Sequence, residues 1–311
     1  MTASPAPFRS GFVCIIGRPN AGKSTLTNAL VGQKVAITSD RPQTTRHVIR
    51  GIVHRPDAQV VLVDTPGLHR PRTLLGERLN DLVRGTLTEV DVVVFCLPAD
   101  QRVGPGDRWI AEQLANLGQG RDAPPVVAVV TKSDLVPKGR LAEHLMAVSE
   151  LGEWADIVPV SAVAGYQVDT LIDVLVSHLS PGPALYPDGE LTDEPEAIMV
   201  AELVREAALE GVREELPHSL AVVVDEITPR PGRDGSDGEP PFLDVRVQLF
   251  VERDSQKAII IGKGGARLRD VGSTARQGIE ALLGARVYLD LHVKVAKDWQ
   301  RDPKQLRRLG F

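Results

Sequence analysis

Short apolar runs recur along the first part of the chain at residues 11–17, 48–54, 59–64, 91–97, 126–131 and 157–160. Each is rich in Val and Ile and has the length of a buried strand. Between them, apolar positions recur at helical spacing over 23–31, 77–87, 106–117, 138–149 and 168–178. Strands alternating with helices predict an α/β domain with a doubly wound, mainly parallel sheet. Ligands of such sheets bind at the carboxyl ends of the strands.

The Pro- and Gly-rich stretch 181–195 suits neither helix nor strand and marks a domain boundary. Beyond it the pattern reads helix 196–216, strand 219–228, strand 243–251, helix 255–261, helix 266–283 and strand 286–295. Asp244, Arg246 and Gln248 alternate with Val245, Val247 and Leu249, the period-two pattern of a strand with one buried face. Residues 229–241 read as a Gly-, Pro- and Asp-rich hairpin connection. The organisation expected is a tail over 1–10, an α/β domain over 11–180, a linker over 181–195 and an α+β domain over 196–311. No segment repeats.

A chain of 311 residues is long enough to bury two cores. Its longest apolar stretches, 92–97 and 126–130, fall far short of the roughly 18 residues of a membrane span. The N-terminal residues lack the basic and apolar segments of a secretion signal. Cys14 and Cys96 lie inside expected strands, where a small apolar core role fits better than a disulfide, so a reducing cytoplasm suits the chain. The net charge of −5 conceals two unlike pieces: residues 241–311 carry 14 Lys or Arg against 8 Asp or Glu, and the remainder is strongly acidic. A basic region on an acidic body points to a polyanionic partner.

Gly17-Arg18-Pro19-Asn20-Ala21-Gly22-Lys23-Ser24 fits the phosphate-loop pattern, and it follows a strand and opens a helix as that pattern requires. Its glycines let backbone N–H groups turn in around phosphate, Lys23 reaches the terminal phosphates, and Ser24, followed by Thr25, offers a hydroxyl to Mg2+. Asp64-Thr65-Pro66-Gly67 ends the run 60–63, so a carboxylate is set at a strand end to hold the magnesium shell, and Gly67 is free to approach the γ-phosphate. Thr131-Lys132-Ser133-Asp134 ends the run 126–130. Asp134 can accept two N–H bonds from guanine, a donor pair that adenine lacks, which selects GTP/GDP over ATP. Ser161-Ala162 follows the last strand.

With Ser39-Asp40-Arg41-Pro42-Gln43-Thr44-Thr45-Arg46-His47, these motifs resemble the translation-factor-like GTPases and, within them, the Era family. The resemblance spans nearly the whole chain. It implies a P-loop NTPase fold, residues 33–47 as the first switch, and Thr45, ahead of Thr44, as a magnesium ligand beside Ser24 and Asp64. It also implies Lys23, Thr45 and Gly67 at the reacting phosphate, with Leu68 adjoining the nucleotide and the backbone of Ser161-Ala162 reading the guanine carbonyl. Two positions depart from the usual pattern. Thr131 stands where Asn is usual, and Leu68 stands where a glutamine orients the attacking water in Ras-like enzymes. Weaker nucleotide binding and slow intrinsic turnover are therefore expected. Asn20 matches the loop asparagine that ligates a monovalent cation in related potassium-activated GTPases, which adds K+ as a candidate cofactor.

The GxxG loop Gly262-Lys263-Gly264-Gly265 carries little weight alone in a chain with 28 glycines. Its place between two helices, inside a helix-strand-strand-helix-helix-strand order, is that of a type II KH domain, whose loop clamps single-stranded backbone. Lys257, Arg267 and Arg269, together with Arg253, flank the loop as a phosphate track. Residues 251–265 and 293–299 resemble the KH domain of the Era family, and Trp299 reads as core in preference to a stacking platform. The resemblance implies a GTP-hydrolysing switch that binds single-stranded small-subunit ribosomal RNA near its 3′ end and assists the pre-ribosomal small subunit to mature. The alternative is a GTPase, peripheral at the inner membrane face, that couples growth or the cell cycle to the membrane.

Overall fold

The computed structural model describes residues 7–38, 47–71, 73–117, 123–210, 212, 219–230 and 240–311. By internal contacts the chain divides into two units, one of Met1–Ala36, Thr45–Arg70 and Leu79–Asp193, the other of Ile37–Thr44, Pro71–Arg78 and Glu194–Phe311. The expected Thr44 and Thr45, most of the expected hairpin tip and residues 213–216 of an expected helix lie outside the described residues.

In the first unit the valine-rich runs become β1 (Arg9–Gly17), β2 (Ile49–His54), β3 (Ala58–Asp64), β4 (Val92–Pro98), β5 (Val126–Thr131) and β6 (Asp156–Pro159). The sheet order is β2-β3-β1-β4-β5-β6, with β2 antiparallel to β3 and every other pair parallel. β3 and β4 are buried along their whole length, as strands covered on both faces are. Helices α1 (Lys23–Val31), α2 (Leu74–Leu87), α3 (Pro105–Leu117), α4 (Lys138–Ser149) and α5 (Val168–His178) alternate with the strands. Successive residues of β1 feed opposite layers: Val13 and Ile15 join Leu26, Leu62 and Leu171, whereas Cys14 and Ile16 join Phe95, Ile110 and Val148. Each such buried aliphatic side chain contributes about 1.5–3 kcal/mol. The parallel registers Ile15↔Asp64, Gly17↔Cys96 and Pro98↔Thr131 bring the strand ends that carry the motifs to one edge of the sheet.

Part of the stretch read as a linker is held against this unit. Buried Gln59 accepts N–H bonds from Leu185 (2.6 Å) and Tyr186 (2.9 Å) and donates to the Tyr186 carbonyl (2.9 Å), so its amide is satisfied by the proline-rich backbone. Edge strand β2 donates from Ile52 N–H to the Leu191 carbonyl (2.9 Å), which covers one of its open hydrogen-bonding groups.

The second unit contains α6 (Glu196–Leu209), β7 (Ala221–Pro229), β8 (Phe242–Val251), α7 (Asp254–Ile261), α8 (Ala266–Leu283), β9 (Arg286–Val295) and a short tail helix α9 (Pro303–Arg308). β7 pairs antiparallel with β8, and β8 parallel with β9. Val200, Val204, Val247, Leu249, Ile260 and Ile279 belong to its core. The helix expected to run to residue 216 ends at Leu209: Glu210 has extended ψ (128°), and the Arg267 guanidinium donates to the carbonyls of Ala208 (3.2 Å) and Glu210 (2.8 Å). Trp299 is fully buried, donates from its indole N–H to the Ser219 carbonyl (2.9 Å) and stacks on Phe311, so it packs as core. Among the described residues, no helix is long and apolar enough to cross a membrane.

Candidate nucleotide and nucleic-acid sites

The loop after β1 turns around Lys23, which is 6% exposed, and its ammonium donates to the carbonyls of Arg18 (3.2 Å) and Gly17 (3.5 Å). Burial pushes the Lys23 pKa down, and the fully buried Asp64 carboxylate at the end of β3 opposes that shift. The loop after β3 lies directly on the phosphate loop. A Cβ on Gly67 would stand 2.7 Å from the Pro19 nitrogen and 2.9 Å from its Cα, so this contact admits only glycine. A buried cation and a buried carboxylate at the mouth of an amide-lined turn fit a Mg2+–triphosphate, with hard oxygen donors from Ser24 and Asp64. Among the described residues no group of three His, Cys, Asp or Glu could hold a metal, and a magnesium ion held largely by substrate phosphates needs none.

Two expected contacts have other uses. Thr65 donates its hydroxyl to the Ile15 carbonyl (2.8 Å), fastening the loop after β3 to β1. Leu68 is turned into the apolar layer with Phe95 and Ile110, and its N–H donates to the Gly17 carbonyl (3.1 Å), which ties its backbone to the phosphate loop. That direction follows from its apolar chemistry, since the sheet face offers a partner that water does not.

At the base-reading end, Thr131 is buried and donates its hydroxyl to the Ala21 carbonyl (2.7 Å). Lys132, held at φ 56°, pairs with Asp100 (3.1 Å). Ser133 is buried and its N–H donates to the Val160 carbonyl (3.2 Å), whereas Asp134 is exposed. Ser161 N–H and carbonyl exchange bonds with Tyr166 (3.1 and 3.0 Å), and its hydroxyl accepts from Ala164 N–H (3.0 Å), which shapes the adjoining loop. Pattern reading missed two supports. Arg18 pairs with buried Asp107 of α3 at 2.6 Å, and Asn28 of α1 clamps Val35 and Ala36, in the segment expected to open the first switch, through three bonds of 2.8–2.9 Å. Both are polar side chains whose partners lie elsewhere in the chain, and apolar periodicity places a helix without saying what its polar face meets.

In the second unit the GxxG loop joins α7 to α8. Gly262 has φ 71°, and a Cβ there would lie 2.7 Å from Arg267 Cβ, so the turn depends on glycine. Lys263 and Arg269 are exposed and Lys257 is half-buried, as phosphate contacts require. Arg267 is not free in the same way, because its guanidinium caps the end of α6. Beside the loop, α8 and β9 bound a cavity of about 570 Å³ lined by Arg269, Arg276, Tyr288 and Leu291. Tyr288 is 53% exposed and is backed by Arg230, which stacks on both Phe242 (4.7 Å) and Tyr288 (5.0 Å) and pairs with Asp244 (2.7 Å). The exposed period of β9 was the signal that could have found Tyr288.

Residues 12–132 match the family model described as a 50S ribosome-binding GTPase, and residues 215–300 match the KH domain. The chain is 70% identical to GTPase Era of Mycobacterium avium (strain 104) over 98% of this chain and 99% of that protein. It is 67% identical, with the same coverage, to GTPase Era of Mycobacterium tuberculosis (strain ATCC 25177 / H37Ra). Among solved structures, Era in complex with MgGDPNP and nucleotides 1506–1542 of 16S ribosomal RNA matches with a TM-score of 0.89 and 37% identity, over 97% of this chain and 99% of that one. A point variant of Aquifex aeolicus Era bound to GDP·AlF4− matches with a TM-score of 0.90 and 36% identity over the same shares. With the phosphate loop, the base-reading turn and the KH arrangement in one continuous match, the chain belongs to the Era family of GTPases.

Proposed function

We propose that this chain binds GTP with Mg2+, hydrolyses it slowly, and binds single-stranded RNA near the 3′ end of small-subunit ribosomal RNA while that subunit matures. The observation that carries this reading is the full-length likeness to an Era structure holding both MgGDPNP and nucleotides 1506–1542 of 16S ribosomal RNA. In the division proposed, residues 11–180 form the GTPase domain, 181–195 the connection and 196–311 the KH domain.

The loop 17–24 encloses the phosphates, with Lys23 against the terminal ones; Ser24, Asp64 and Thr45 hold the metal. Bound Mg2+ neutralises charge that develops on the phosphoryl oxygens. Gly67 brings a backbone N–H to the γ-phosphate, and Asp134 selects guanine. Because Leu68 cannot orient water, positioning and fixed dipoles carry the hydrolysis. Asn20, whose left-handed backbone (φ 63°) turns the loop, would hold K+, which would add positive charge there; equal hydrolysis rates in K+ and Na+ buffers would remove this part of the reading.

Gly262, Lys263, Gly264 and Gly265 clamp the RNA backbone, with Lys257 and Arg269 extending the track. Within the second unit, Glu206 of α6 accepts from Thr38 N–H (2.9 Å) at the edge of the first switch. Switch rearrangement on hydrolysis thereby bears on a helix of the RNA-binding half. The test is RNA affinity in the GTP-analogue and GDP states, alongside Lys23→Ala for hydrolysis and Lys263→Asp for RNA. Loss of both activities in separate variants supports the reading; equal RNA affinity in both nucleotide states removes the coupling. The basic charge of residues 241–311 also favours peripheral contact with anionic lipid, which vesicle flotation tests.

A further inference from the structure

A cavity of about 400 Å³ lies in the first unit, bounded by α3, α4 and the segment after β4. Arg102, Arg108 and Arg140 line it, together with Glu143, Glu150 and His144. His144 is 9% exposed, and its Nε2 is buried with no hydrogen-bond partner among the described residues. The three guanidinium groups make no hydrogen bond or ion pair among the described residues either. Leaving a buried polar nitrogen unmatched costs about 1–3 kcal/mol. The three arginines are exposed and come from three elements, the segment after β4, α3 and α4, so their cationic ends meet around one cavity. The two carboxylates hold the excess positive charge to about one, or two with His144 protonated, which suits a compact anion of low charge.

We infer that this cavity is a second phosphate site, taking a small phosphate-bearing anion on Arg102 and Arg140, beside His144. Phosphate offers several acceptor oxygens within one tetrahedron, which guanidinium forks can share. A carboxylate ligand would answer fewer of these donors. The site is distinct from the phosphate loop, yet Asp107 behind it pairs with Arg18 of that loop at 2.6 Å, and Asp100 pairs with Lys132 of the base-reading turn at 3.1 Å. Both carboxylates act on His144, favouring its charged form, whereas burial and Arg140 oppose it. A phosphate group in the cavity adds to the favouring side.

The test uses the full chain saturated with GDP and Mg2+, so that the phosphate loop is occupied. The imidazole resonances of His144 are followed by NMR as inorganic phosphate is added, and separately as a single-stranded oligonucleotide without terminal phosphates is added. The inference expects a saturable His144 shift with inorganic phosphate and a rise in its apparent pKa. It also expects affinity at least about tenfold weaker in the Arg102→Ala, Arg140→Ala double variant, with GDP affinity unchanged. A response to the oligonucleotide alone, a response of equal strength in the double variant, or no response at all overturns it.

Discussion

Thr131 donates its hydroxyl to the Ala21 carbonyl at 2.7 Å, so the turn proposed to read the base and the loop proposed to hold the phosphates are fastened by one buried bond. In this chain the residue in the usual Asn position therefore acts on the phosphate loop from behind. Thr131→Val keeps the shape and removes the donor, leaving a buried carbonyl unmatched, which costs about 1–3 kcal/mol. GDP affinity is expected to fall by about tenfold, while the preference for guanine over adenine nucleotides, proposed to rest on Asp134, is retained. Titration with fluorescent GDP and ATP analogues measures both; unchanged GDP affinity contradicts the fastening role.

Gly67→Ala places a methyl 2.7 Å from the Pro19 nitrogen, inside the distance that real Cβ atoms keep, and backbone cannot yield as a flexible side chain does. The loops after β1 and β3 must separate, which displaces the Gly67 N–H proposed to meet the γ-phosphate. Loss of one such donor costs about a hundredfold in rate in comparable sites. Single-turnover hydrolysis is expected to drop by about that factor with GDP affinity altered far less, because GDP lacks the phosphate concerned.

Much of this was legible beforehand. Helices over Lys23–Val31, Lys138–Ser149, Val168–His178 and Ala266–Leu283 and the strand Arg286–Val295 have the bounds that periodicity predicts, and Gly32, Gly284 and Pro137 add local stop or start signals to three of them. The phosphate and GxxG loops were legible because backbone geometry demands glycine there. What escaped was whatever depends on long-range partners. Arg267 sits in a basic track and looks free, yet its guanidinium closes a helix end some 57 residues away in sequence. Leu68 sits inside a nucleotide motif, yet its chemistry sends it to the core. The proline-rich stretch reads as a linker, and nothing local announces that Gln59 will fasten it.

Arg267 and Lys263 should consequently separate when each becomes Ala. Arg267→Ala removes two bonds to the last carbonyls of α6 and is expected to cost about 1–2 kcal/mol of stability in the second unit, read as a lower unfolding midpoint. Lys263→Ala, on an exposed loop, should leave stability within about 0.5 kcal/mol. It should instead weaken RNA binding and reduce the slope of log affinity against log salt by roughly one, the mark of a lost phosphate contact. Equal salt slopes for Lys263→Ala and the parent protein would argue against the clamp.

Burial holds the His144 pKa below its usual 6.5, with Arg140 pushing the same way and Asp107 and Asp100 pushing against it; Arg102, Arg108, Glu143 and Glu150 share the cavity. The sign of the resulting pH dependence follows from linkage. Above pH 6.5 the imidazole is neutral in folded and unfolded chains alike, and its contribution is fully present. As pH falls below that value the unfolded chain takes up a proton that the folded chain refuses, so stability declines until the lowered folded pKa is reached. One site can change stability by at most about 1.4 kcal/mol per pH unit in this window. His144→Gln keeps a polar side chain but cannot titrate, so its loss of stability between about pH 7.5 and about pH 5.5 should be smaller than that of the parent protein, in which the other histidines are the same. Urea unfolding of both proteins across that range supplies the comparison, and parallel curves would mean that His144 ionises as freely in the fold as outside it.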